Sequence, residues 1–110
     1  MAKREIIEIS KILQELLQQR KVSIYKIIIF GSYAKGSQRK DSDIDIIVVS
    51  NDFRNKDIFE RVKLTSGVHR GLVDRIKKPF DIMYYSDTEW DEGDSLIINS
   101  AKEDGEIIYG

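Results

Sequence analysis

The chain has 110 residues, 19 of them acidic and 18 basic, for a formal net charge of −1. That balance gives no general attraction to nucleic acid or to a membrane surface, so a polyanion must be held locally. Without cysteine, disulfides, thiolate chemistry and zinc-thiolate sites are excluded, and 41% hydrophobic with 34% charged residues reads as one globular domain over residues 1–110.

The opening MAKREIIEIS scatters charges through its apolar residues and does not read as a secretory signal. No apolar run approaches the ~20 residues that cross a bilayer, and a cytoplasmic protein is expected. Residues 3–20 read as an amphipathic helix with Ile6, Ile9, Leu13, Leu16 and Leu17 on one stripe. Residues 22–30, rich in β-branched side chains, read as a strand. Gly31-Ser32 ends it, and Ser32 to Lys35 can start a short helix that Gly36 stops.

Residues 37–42 (SQRKDS) form a polar loop, and residues 43–49 a second strand. Side chains alternate along a strand, so Asp43 and Asp45 share a face that Ile47 and Val49 continue, while Ile44, Ile46 and Val48 face the other way. Apolar side chains on both faces call for a sheet covered on both sides. After a loop at 50–56, residues 57–77 read as helix, with a break near Ser66-Gly67 or Gly71 and an apolar face that includes Ile58, Phe59, Val62, Val68 and Leu72. Pro79 bars helix and leads into a third strand at 80–85. Asp87 is the expected N-cap of the next helix, Gly93 divides it, and Gly105 closes it before a final strand at 106–109.

This order of elements gives an α/β (α+β) fold, a small mixed β-sheet flanked by helices. The short link between the first two strands suits an antiparallel pair.

The chemistry concentrates in GSYAKGSQRKDSDID. Asp43 and Asp45 have Cα atoms ~6.5–7 Å apart on one face of a strand, from a rise of about 3.3 Å per residue. Their repulsion is relieved by a divalent cation, and hard oxygen ligands suit Mg²⁺. Glycine at 31 lets a phosphate approach the backbone, Ser32 adds a hydroxyl donor, and a helix starting there aims free N–H groups at an anion. Lys35, Arg39 and Lys40 are within the loop for phosphate contact, although a solvated loop is their default reading; Ser42 is a further hydroxyl donor. Asp81 opens the third strand, and an acid in an apolar strand is costly unless paired or metal-bound. It falls beside the other two if the second and third strands are neighbours. A Gly-Ser turn or an Asp-x-Asp pair alone means little; their joint spacing between apolar strands carries the inference.

The same stretch resembles the Gly-Ser, ten-residue, Asp-x-Asp motif of the polymerase beta-like nucleotidyltransferase superfamily, most closely its minimal nucleotidyltransferases (MntA-like antitoxins), over nearly the whole chain. The resemblance implies that Asp43, Asp45 and Asp81 hold magnesium, with two ions expected. It implies that Asp81 assists an attacking hydroxyl and that Gly31 and Ser32 bind nucleotide phosphate. It also implies ATP as substrate and a small helical HEPN-domain ribonuclease as partner, neutralised by transfer of AMP, with tyrosine as one acceptor. Tyr33 and Lys35 depart from it, standing where relatives carry arginine. A non-catalytic binding module that neutralises a toxin by contact, and the catalytic subunit of a small-molecule (drug-type) nucleotidyltransferase, are the competing readings; a homo-oligomer is compatible with all three. His69 reads as a surface residue, Trp90 as a core or interface anchor, and residues 75–78 as a helix C-terminus complementing its dipole.

Overall fold

The computed structural model describes residues 1–37, 39, 42–93 and 95–110. Helix α1 (Lys3–Gln19) buries Ile9, Leu13 and Leu17 of the expected stripe together with Ile12, while Ile6 and Leu16 lie half-buried at its edge. Strand β1 is Lys26–Phe30, shorter than the expected 22–30. The reason lies in the preceding turn: Val22 N–H donates to Leu17 O, and Ser23 N–H and Oγ–H both donate to Asp52 Oδ2, at 2.8 and 3.0 Å. Backbone and side-chain groups engaged in this way are held off the ladder.

A single turn of helix, α2 (Ser32–Lys35), follows β1, with Gly36 left-handed at its C-cap. Strand β2 (Ile44–Val49) leads into a 3-10 turn (Asn51–Phe53) capped by Ser50. The expected helix at 57–77 is two helices, α3 (Ile58–Leu64) and α4 (Val68–Ile76), broken at 65–67. Thr65 Oγ turns back to Arg61 O at 2.8 Å and Gly67 takes φ +86° to restart the chain. Strand β3 is Phe80–Tyr85, and β4 is Glu106–Tyr109. Between them lie α5 (Asp87–Glu92) and α6 (Leu96–Asp104), divided at Gly93. The N-cap of α5 is Ser86 rather than Asp87: Ser86 Oγ accepts from Glu89 N–H at 3.1 Å and Glu89 Oε1 accepts from Ser86 N–H at 2.8 Å, a capping box. Asp87 sits one residue inside and pairs with Arg54.

The sheet order is β3-β2-β1-β4. β1 runs antiparallel to β2 and to β4, and β2 runs parallel to β3. A parallel pair needs a crossover, which α3 and α4 supply. One face, with Ile27, Ile29, Ile44, Ile46 and Val48, packs on α1 and α4. The other, with Ile28, Phe30, Ile47 and Val49, packs on Trp90, Ile98 and Ala101 of α5 and α6. The second strand is thus covered on both sides, as its unbroken apolar run requires.

Two expectations about the helices change. Ile58, Phe59 and Val62 of α3 are 70%, 81% and 57% exposed rather than core. The place over the sheet is taken by α4, through Val68 and Leu72. Gly71 lets α1 approach; a Cβ there would lie 2.8 Å from Leu16 Cδ2. The basic residues at 75–78 are not all dipole partners: Arg75 pairs with Glu15 at 2.8 Å and Lys78 with Glu5 at 2.5 Å, tying this segment to α1. No helix among the described residues is long and apolar enough to cross a membrane.

Leu72 is fully buried between α4 and the sheet. Leu72→Ala should destabilise the protein by about 2–5 kcal/mol, since a cavity remains where α4 cannot collapse onto the strands. Urea titration checks this: the midpoint falls with the slope unchanged.

Candidate active site

The register of the sheet assembles one rim. β1 ends at Phe30, opposite Asp45, so Gly31 and Ser32 leave the sheet at the same end where β2 begins. β3 begins at that end too, and Asp45 is paired directly with Asp81. Neighbouring strands are about 4.8 Å apart, and paired residues project to the same face. Asp43, two residues before Asp45, projects with it. The carboxylates of Asp45 and Asp81, with Asp43 just before β2, therefore stand on the face that α5 and α6 cover farther along.

Asp45 is the half-buried member, and Asp43 and Asp81 are exposed. Burial pushes the Asp45 carboxyl above its ordinary pKa, and the charges of Asp81 and Asp43 push it further the same way. Its repulsive neighbours are the two acids that the sequence pairs with it.

Gly31 explains the link between the Gly-Ser turn and the second aspartate. It adopts φ +76° and ψ −151°, a conformation that L side chains rarely adopt. A Cβ on Gly31 would lie 2.3 Å from Asp45 Oδ2. The carboxylate of Asp45 thus rests against the bare Cα of Gly31. Ser32 opens α2, whose first N–H groups lack helical partners by the geometry of any helix start.

The loop residues divide. Arg39 N–H donates to Ser42 Oγ at 2.8 Å, so Ser42 braces the loop just before Asp43, and the Arg39 side chain is exposed. Lys35 turns to Asp104 of α6 at 3.5 Å, an exposed pair of little energetic weight. Lys40 lies outside the described residues.

An all-oxygen acidic set suits a hard cation such as Mg²⁺. In the conformation shown, no three His, Cys, Asp or Glu side chains among the described residues are arranged to hold an ion.

His69, read from the sequence as a surface residue, is exposed and reaches the start of β3. Its Nε2–H donates to Phe80 O at 2.8 Å, one residue before Asp81. No local pattern signals this, because α4 meets β3 only through the crossover.

The mixed sheet thus carries a Gly-Ser turn and paired acids at the shared end of its strands. The chain belongs to the nucleotidyltransferase domain family, whose profile matches residues 6–108. Solved structures share the fold. A toxin–antitoxin with AMP-PNP is 23% identical, with TM-score 0.64 over 91% of this chain and 72% of that one. A putative nucleotidyltransferase from Sulfolobus solfataricus is 22% identical, with TM-score 0.63 over 94% of this chain and 78% of its own. A mutant of the toxin–antitoxin MntA-HpeT is 20% identical, with TM-score 0.62 over 100% of this chain and 74% of its own. No curated protein matches the chain in sequence.

Proposed function

We propose that the chain transfers AMP from ATP to a hydroxyl of a partner protein, a small helical HEPN-type ribonuclease, and so acts as its antitoxin. The observation that carries the reaction is the pairing of Asp45 with Asp81 across β2 and β3, with Asp43 on the same face. Support for the partner comes from similar folds: one is a toxin–antitoxin with AMP-PNP, and another is a tri-AMPylated Shewanella oneidensis HEPN toxin in complex with MNT antitoxin, 22% identical with TM-score 0.53.

In this reading Asp43, Asp45 and Asp81 would hold Mg²⁺, with two ions expected, which when bound neutralises the triphosphate and stabilises the leaving pyrophosphate. Gly31 gives the phosphates access to the backbone, and Ser32 supplies a hydroxyl donor. Arg39, whose side chain is exposed, would meet phosphate oxygens, and Ser42 accepts from the Arg39 backbone N–H beside Asp43. The acceptor hydroxyl gives its proton to Asp81. Its oxygen bonds to the α-phosphorus as the bond from that phosphorus to the bridging oxygen breaks, and pyrophosphate leaves.

The test is transfer of label from α-³²P-ATP and Mg²⁺ to the partner. Asp43→Asn should lower the rate on the order of 10³-fold, because charge stabilisation at the reacting phosphate is lost. Transfer at the parental rate in that variant refutes the site. Neutralisation of the ribonuclease that survives without transfer supports a binding module instead.

A further inference from the structure

The edge of the sheet beside Asp81 is open, and its backbone is selectively guarded. Ile44 N–H donates to Pro79 O and Ser50 N–H donates to Tyr85 O. Odd-numbered residues of β3 therefore turn their backbone toward β2, and even-numbered ones turn theirs outward. Two of the outward carbonyls are already taken. Phe80 O accepts from His69 Nε2 at 2.8 Å, and Tyr84 O accepts from Arg61 Nη1 at 2.9 Å. Between them, Ile82 presents its N–H and C=O to the edge.

This edge is the floor of a groove whose wall is α3. One depression of about 380 Å³ runs by Ile58, Val62 and Tyr85. A second, of about 410 Å³, runs by Val62 and Ser66 to Asp81. Both are lined by Val62, Ile82 and Tyr84, so they form one continuous track ending at the candidate catalytic carboxylate. The track explains the apolar side chains that α3 leaves exposed: Ile58 and Val62 line it. Arg61 and Glu89 neutralise each other at 2.7 Å. Lys56 remains at one end, and Arg70, held only at 4.0 Å from Asp74, at the other.

We propose that this groove seats an extended segment of the acceptor protein, apolar at its centre and acidic at its flanks, and that it delivers the hydroxyl to Asp81; the proposal rests on the transferase reading above. A residue placed opposite Ile82 exchanges two hydrogen bonds with it. The neighbours of that residue then project to the other face, where Asp81 lies, about one strand spacing away. The capped carbonyls of Phe80 and Tyr84 limit pairing to a short stretch. They work against edge-to-edge pairing of β3 with β3 of a second copy, which would need those carbonyls free. The two terminal cations favour acids at the ends of the segment.

The probe is a short synthetic peptide, extended and apolar, with glutamates at both ends and one central tyrosine; a second peptide carries lysines in place of the glutamates. Anisotropy should show the acidic peptide binding at least tenfold more tightly than the basic one. Val62→Glu places a charge in the track at an exposed position, and Ile82→Pro removes the outward N–H between the two capped carbonyls while leaving the ladder to β2. Each should weaken acidic-peptide binding and its labelling from ATP at least tenfold, with ATP affinity by calorimetry at the parental value. Equal binding of the two peptides, no binding of either, or parental labelling in both variants overturns the groove. A concentration-dependent dimer of the parent that Val62→Glu dissociates also overturns it, in favour of a second copy. Failure of the parent to bind ATP overturns the transferase reading itself, a separate result.

Discussion

Asp45→Asn should give a protein that no longer transfers nucleotide and yet resists heat better than its parent. The carboxylate is half-buried against Gly31, and it is repelled by Asp81 and Asp43. Its pKa is raised on folding, so its ionised form costs stability above the unfolded-chain value of about 3.9 and that cost disappears below it. An amide of the same shape removes the charge at neutral pH. Asp45 is partly open to solvent, which screens the repulsion, so in metal-free buffer the gain should be no more than about 1 kcal/mol, a few degrees in melting temperature. Transfer should fall on the order of 10³-fold, because the most enclosed of the three acids can no longer hold a cation or oppose phosphate charge. Calorimetric melting in chelator, beside the label-transfer assay, reads both effects. A drop in melting temperature would show that Asp45 is structural. Such opposed signs are common where a site stores repulsion that the scaffold must overcome.

Gly31→Ala should damage both stability and activity, through two separable causes. The backbone conformation at φ +76° and ψ −151° costs an L residue about 1–3 kcal/mol. The new methyl would also fall 2.3 Å from Asp45 Oδ2, so the carboxylate must move. A displacement near 1 Å at a reacting centre is worth on the order of 10²-fold in rate. A double-mutant cycle separates the causes. With Asp45→Ala in the same chain, the clash vanishes and only backbone strain remains, so the double variant should be more stable than the sum of the two single changes gives. Strict additivity would mean that the two residues do not touch.

That coupling also shows what local reading can reach. The ten-residue spacing marks Gly31 and the aspartates as parts of one unit, because a turn between two apolar strands brings its flanks together. It does not reveal that Asp45 leans on the bare Cα of Gly31, since that depends on how β1 and β2 are registered. The pairing of Asp81 with Asp45 was conditional on β3 lying next to β2, and strand order is settled by the crossover through α3 and α4.

The sequence by itself determined the alternation in β2 that puts Asp43 and Asp45 on one face, the limits of β3 and β4, and the stripe of α1. The alternation and the stripe follow from periods of two and of about four residues, and the limits of β3 and β4 from the breakers Pro79 and Gly105 before them; all of these signals act locally. Tertiary structure decided the rest. It shortened β1 because Asp52 engages Ser23, and it moved the α5 cap to Ser86. It left Ile58 and Val62 of α3 beside an open edge because α4 occupied the sheet, and it brought His69 and Arg61 onto the carbonyls of β3. These outcomes turn on which surfaces compete for the same space, and that competition involves residues distant in the chain, beyond the reach of any local pattern.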